Sequence, residues 1–112
     1  MTPDELQQIV AGGESETVEF KETFQEEAIQ TVGAFASTRG GTLLVGVDDL
    51  GDPTGVTVGK NTLREILDRI VSCTEPRVVP DLCIATLQGR TLLVVQVRSE
   101  EHTSELQSRQ VI

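Results

Sequence analysis

The chain has 112 residues, 18 of them Asp or Glu against 9 Lys or Arg, so it fits one domain and its formal net charge of −9 opposes any broad basic footprint for phosphate. Trp and Tyr are absent and Phe occurs three times, which makes the core aliphatic and removes aromatic platforms for stacking bases. No apolar run approaches the roughly 20 residues of a membrane span, no basic stretch leads an apolar segment at the N-terminus, and two cysteines are too few for a disulfide framework or a four-ligand zinc site. The expectation is a soluble protein of the reducing cytoplasm without a membrane role, with Cys73 and Cys83 as small core residues.

Thr2-Pro3-Asp4-Glu5 supplies a capping hydroxyl, a proline for the first helical position and a glutamate three residues after the cap, so a helix is predicted over about 3–11, stopped by Gly12-Gly13. Residues 17–21 alternate, with Val18 and Phe20 on one side and Glu19 and Lys21 on the other, as in a strand. From about Gln25, apolar residues at 28, 29, 32, 35 and 36 follow helical spacing, and Gly40-Gly41 is the expected stop. The nearly continuous apolar run 42–47 reads as a central strand, over about 42–48, covered on both faces. Turn residues fill 49–55, a brief extended segment is expected at 56–58, and Asn61 is the predicted cap of a helix carrying Leu63, Ile66, Leu67, Ile70 and Val71 on one stripe. Pro76 and Pro80 end that helix, and 82–87 with 91–97, joined by Gln88-Gly89-Arg90, read as a hairpin. The order α-β-α-β-α-β-β, with no internal repeat, places the chain in the α/β (α+β) class, as a single mixed sheet with packed helices over residues 1–97.

The last fifteen residues break this style. Arg98 to Ser108, RSEEHTSELQS, resembles a sequencing-library adapter translated in frame, and 98–112 is expected to be a non-native tail. Without its Arg98, Arg109, Glu100, Glu101 and Glu105, the first 97 residues still hold 7 basic and 15 acidic side chains. His102, the one histidine, falls in the tail, which removes Ser-His-Asp and Cys-His catalysis from consideration. If a further natural strand is missing, an exposed edge is expected beside 91–97, with aggregation or dimerisation as its consequence.

Three patterns carry possible chemistry. Glu14, Glu19 and Lys21 precede a helix, and Asp48-Asp49 follow the central strand. Carboxylates from neighbouring strands with a lysine on the same face form the layout of metal-dependent phosphodiester hydrolases, where Mg2+ or Mn2+ takes oxygen ligands and lysine stabilises developing charge. A solvated Glu-Lys strand face is the plainer alternative in so acidic a chain. The run GVTVGKN at 55–61 has one residue too few between its glycines for a phosphate-binding loop and Asn61 where a hydroxyl is needed, so nucleotide hydrolysis is rejected. Arg39-Gly40-Gly41 either ends a helix or lets a phosphate approach backbone N–H groups.

With these residues in view, the chain resembles the Schlafen AlbA-type domain over about residues 3–97. The likeness rests on ESETVEFKE at 14–22, AFASTRGGTLLVGVDDLGDPTGV at 34–56, and the helix and apolar hairpin that follow. Ser37 stands where relatives commonly have Asn, and relatives usually continue past the hairpin into another strand and a further regulatory region, so this chain is expected to be a fragment. The resemblance implies a nucleic-acid-binding module, with Arg39, Gly40, Gly41 and Lys21 toward DNA or RNA, at the N-terminus of a prokaryotic transcriptional-regulator-like protein. It also implies an alternative, since animal Schlafen proteins cleave structured RNA with three acidic residues. Glu14 and Glu19 match the first two acids, Lys21 the nearby lysine, and Asp48 or Asp49 the third, so these four acids are the candidate Mg2+ or Mn2+ ligands of a nuclease, with no cofactor certain. The animal enzymes join two such domains around a basic groove, which makes a homodimer a possible partner state. Binding ranks above catalysis here, and a protein-interaction or sensory module is the third reading. Nucleic-acid binding requires Lys21, Arg39, Lys60, Arg64, Arg69, Arg77 and Arg90 to cluster on one face.

Overall fold

The computed structural model describes residues 2–99. Its elements follow the predicted order: α1 Pro3–Gly12, β1 Val18–Lys21, α2 Glu26–Ala36, β2 Gly40–Val45, α3 Thr62–Cys73, β3 Asp81–Leu87 and β4 Arg90–Arg98. The start of α1 is fixed as its sequence suggests. Thr2 Oγ1 accepts a hydrogen bond from the Glu5 N–H at 3.2 Å, and Asp4 and Glu5 lie in the first turn, where the helix dipole favours negative charge.

The four strands form one sheet in the order β1-β2-β4-β3. β1 and β2 are parallel, connected by α2, while β4 runs antiparallel to both β2 and β3. Side-chain alternation then sends the two interior strands into two cores. Leu43 and Val45 join Leu93, Val95 and Val97 on the face covered by α2 and α3, against Val32, Phe35 and Ile70. Leu44 joins Leu92, Val94 and Phe20 on the opposite face, under Leu6 of α1. The near-continuous apolar runs of β2 and β4 are thereby explained, since both faces of each strand are buried. No described helix is long and apolar enough to cross a membrane.

Several local expectations are corrected. The helix α2 stops at Ala36, before the two glycines, because Ser37 Oγ and Thr38 Oγ1 donate to the carbonyls of Gly33 and Ala34 and satisfy the end of the helix; Gly40-Gly41 instead opens β2. Strand β2 ends at Val45, because Gly46, at φ +104°, turns the chain while its N–H and that of Val47 both donate to the Lys21 carbonyl. Asn61 makes no capping hydrogen bond; Thr62 Oγ1 accepts from the Gly59 N–H at 2.7 Å and organises the entry to α3. Cys73 is exposed and Cys83 half-buried, so neither is a full core residue. The expected free edge beside 91–97 is not found, since β4 lies between β2 and β3, and among the described strands the edges are β1 and β3.

The hairpin turns on Gln88 and Gly89, both at positive φ (51° and 76°), as the twist of a two-residue connection demands. Strand β4 extends one residue past the expected boundary to Arg98, whose guanidinium lies 3.9 Å from Asp81, and Ser99 Oγ donates to the Thr38 carbonyl at 2.8 Å. The remainder of the suspected tail, with Glu100, Glu101, His102, Glu105 and Arg109, lies outside the described residues.

Candidate functional site

A tight turn brings the first two acids together. Ser15 and Val18 pair as an isolated antiparallel bridge, the Ser15 N–H donating to the Val18 carbonyl at 2.9 Å, and Ser15 Oγ accepts the Thr17 N–H at 3.2 Å. One register step beyond that pair, Glu14 falls opposite Glu19, and cross-strand neighbours share a face. The electrostatics agree with this placement. Partial burial of Glu19 and the charge of Glu14 raise the Glu19 carboxyl above its ordinary 4.5, Lys21 opposes the rise, and the hydrogen bond that the protonated Glu19 carboxyl donates to Glu14, with the charge of Asp49, adds to it. Lys21, two residues along the same strand face, holds its Nζ 3.9 Å from Glu19 Oε2 and 3.5 Å from Glu27 Oε2. Glu27 was not among the expected site residues, because the irregular connection from β1 into the first turn of α2 carries no periodicity to place it.

The two aspartates have separate employment. Asp48 Oδ1 accepts the N–H groups of Leu50 and Asp52 at 3.0 and 2.9 Å, closing the loop after β2. Asp49 is exposed, reaches Glu19 through its charge, and shares a cleft with Lys21, Glu22 and Glu27. Asp48 is therefore held in the turn, while Asp49 lies beside Lys21 and Glu27 and acts on Glu19 only through its charge. Among the described residues, no three of Asp, Glu, His or Cys are disposed to hold a metal ion.

Arg39 sits in the connection between α2 and β2, its Nη1 3.8 Å from Glu16 Oε2, with both side chains about four-fifths exposed, 79% and 85%. Such a pair contributes little and leaves the guanidinium free to exchange partners. Its two glycines have packing reasons for being small. A Cβ on Gly40, which sits at φ +81°, would run into the Val97 carbonyl oxygen, and a Cβ on Gly41 would lie 2.7 Å from the Phe35 ring. Sequence-separated motifs nonetheless converge: Ser15, Glu19, Thr31, Thr38 and Arg39 line one cleft between the start of β1 and the C-terminal half of α2. Of the other basic residues, Lys21 lies on the same strand face as Glu19, whereas Arg69 stands over the Phe24 ring at 5.3 Å from its centroid. Lys60, Arg64, Arg77 and Arg90 do not line this cleft.

Comparison with known proteins follows the same residues. In solution, the N-terminal domain of a Nitrosomonas europaea protein, named for its relation to the ATP-dependent DNA helicase RecG, superposes with a TM-score of 0.67 at 25% identity, covering 88% of this chain and 74% of that one. A crystal structure from Corynebacterium diphtheriae superposes with a TM-score of 0.58 at 18% identity over 86% of this chain; that likeness shows the fold, and this chain spans 25% of its length. No curated protein matches. The family model described as Schlafen, AlbA_2 matches residues 14–112, opening on Glu14 and leaving α1 outside. On that match the chain belongs to the Schlafen, AlbA_2 family.

Proposed function

We propose that this chain is a nucleic-acid-binding module that takes a phosphate backbone along the cleft between β1 and α2, as the N-terminal part of a regulator-like protein. The observation that carries the reading is the convergence of Arg39 with the β1 face that bears Glu19 and Lys21. An exposed guanidinium, held among the described residues by a loose pair to Glu16, exchanges that carboxylate for a phosphate at little cost. Membership in the Schlafen, AlbA_2 family and likeness to an N-terminal domain of a RecG-related protein support the same reading. Arg39 is the one of the seven basic residues that lines the cleft, so the full one-face cluster is not reached there, few phosphates are held, and in so acidic a chain the interaction is weak and salt-sensitive. Fluorescence anisotropy against single- and double-stranded DNA and RNA at low and raised salt tests it. Arg39→Ala should weaken binding several-fold and equally across sequences, because phosphate contacts position without specifying. Absence of binding at the lowest salt, or an unchanged affinity in Arg39→Ala, would overturn the reading.

A second reading, metal-dependent RNA cleavage, draws on the Glu14–Glu19 pair, since two facing carboxylates attract a hard cation. The donor set is incomplete, however. Asp48 is committed to its turn, and Asp49 acts on Glu19 through charge without completing a set of three donors, so among the described residues the arrangement does not fit a three-carboxylate centre. Thermal melting with Mn2+ or Mg2+ distinguishes the readings: a midpoint that rises with the logarithm of metal concentration and loses that rise in Glu19→Gln favours cleavage.

A further inference from the structure

The two edges of the sheet are treated differently. β1 has four residues, its own chain folds back beside it through the Ser15–Val18 bridge, and one of its faces carries Glu19 and Lys21. β3 has seven residues, and no described strand pairs with its outer side. It also lacks the usual defences of an open edge. Asp81–Leu87 contains no Lys, Arg or Pro, and its register against β4 is unbroken by a bulge.

The turn at Gln88-Gly89 determines which backbone groups face outward. A two-residue connection makes Leu87 and Arg90 a hydrogen-bonded pair, and alternation then makes Ala85–Leu92, Cys83–Val94 and Asp81–Gln96 the other such pairs. The N–H and C=O groups of Leu82, Ile84 and Thr86 therefore point away from β4. Their side chains lie on the α2/α3 face, in register with Val95, Leu93 and Thr91, and Ile84 is 43% exposed there, among the largest apolar exposures of the described residues.

We propose that the β3 edge pairs with β3 of a second copy of this chain, antiparallel about a twofold axis through Ile84, joining two four-stranded sheets into one. The sequence of the strand is self-complementary in that register. Ile84 meets Ile84, Leu82 meets Thr86, and each pair exchanges two backbone hydrogen bonds, six in all by the alternation of an antiparallel ladder. Asp81, the one charge of the strand, falls opposite Leu87 of the other copy, so no like charges face each other across the seam. The exposed Ile84 side chains cover one another at its centre. This dimer is independent of nucleic-acid binding and differs from it in salt dependence. Two chains of charge −9 repel, so added salt tightens the dimer, whereas salt loosens contacts to phosphate.

Sedimentation velocity on the full chain, from micromolar to near-millimolar concentration at low and raised salt, with amide exchange by NMR, tests the pairing. The expected result is a mass that doubles with concentration and does so sooner in salt. The amides of Leu82, Ile84 and Thr86 should become protected as dimer forms, while those of Cys83 and Ala85 are protected throughout. Ile84→Lys should lose the dimer while keeping the monomer's circular dichroism and melting. A monomer at every concentration, a dimer that survives Ile84→Lys, or protection of the three amides in dilute monomer would each overturn the proposal, the last by showing that the chain covers this edge itself. The amide pattern of the unaltered protein decides the matter even where the variant fails to fold.

Discussion

Gly41→Ala tests whether the paired glycines after Arg39 serve the core or the ligand. A Cβ built on Gly41 meets Phe35 Cδ1 and Cε1 at 2.7 Å and Cγ at 2.8 Å, about 1 Å inside ordinary carbon–carbon contact. Phe35 is 6% exposed and packed among Val32, Ala36 and Leu43, so the ring has little space into which to withdraw. Overpacking of this kind costs about 1–3 kcal/mol, and the lower entropy of the unfolded alanine chain returns about 0.4–1 kcal/mol. A net loss of about 1–2 kcal/mol is expected, which lowers the melting midpoint of a chain this size by about 5–10 °C. Urea denaturation of Gly41→Ala, Phe35→Leu and the double variant measures it as a cycle. The double variant should be more stable than the sum of the single losses predicts, because the smaller leucine makes room for the new methyl. Additive losses, or a neutral Gly41→Ala whose only defect is nucleic-acid affinity, would refute the packing account and return Gly41 to the ligand.

The carboxylates give further tests. Because the Glu19 carboxyl titrates above its ordinary 4.5 in the folded chain, its ionisation opposes folding; the stability that its protonated form contributes is present below about that pH and is lost as pH rises through the raised value. Glu19→Gln should therefore be more stable than the parent at neutral pH, with the advantage vanishing on acidification toward pH 4.5, as read by urea midpoints across pH. A constant or reversed difference would show that the Lys21 pairing outweighs burial and Glu14. Asp48→Ala should cost about 1 kcal/mol, since the Leu50 and Asp52 N–H groups lose their acceptor, while exposed Asp49→Ala stays within about 0.5 kcal/mol. Equal losses at the two positions would contradict the separation of turn and site.

The sheet was legible because both faces of β2 and β4 are apolar and the hairpin carries its own turn, so periodicity and turn chemistry agree across 42–47 and 82–97. Strand order was not legible. The pairing of Leu43 with Val95 joins segments some fifty residues apart, and nothing local distinguishes β4 as interior from β4 as an edge. At the site, the alternation that puts Glu19 beside Lys21 is readable from a period of two, but the approach of Glu14 depends on a turn at Ser15–Val18 that contains neither Gly nor Pro. Asp48 and Asp49 are chemically identical in sequence, and two backbone N–H groups separate them in three dimensions. Cys73 was misplaced for a related reason: the apolar stripe of α3 turns away from the core before the helix ends.

The position of β4 between β2 and β3 has a consequence for synthesis. During translation, β1, α2 and β2 emerge long before Arg90–Arg98, so β2 can pair with β1 while its other side awaits a neighbour. Leu43, Leu44 and Val45, fully buried in the finished sheet, stand during that interval on an open edge with few layers to cover them. Among the described strands, the last one made is thus the one that joins β2 to β3. A slow or interrupted ribosome upstream of residue 90 leaves a nascent chain whose most apolar segment is available to chaperones and to other nascent copies alike.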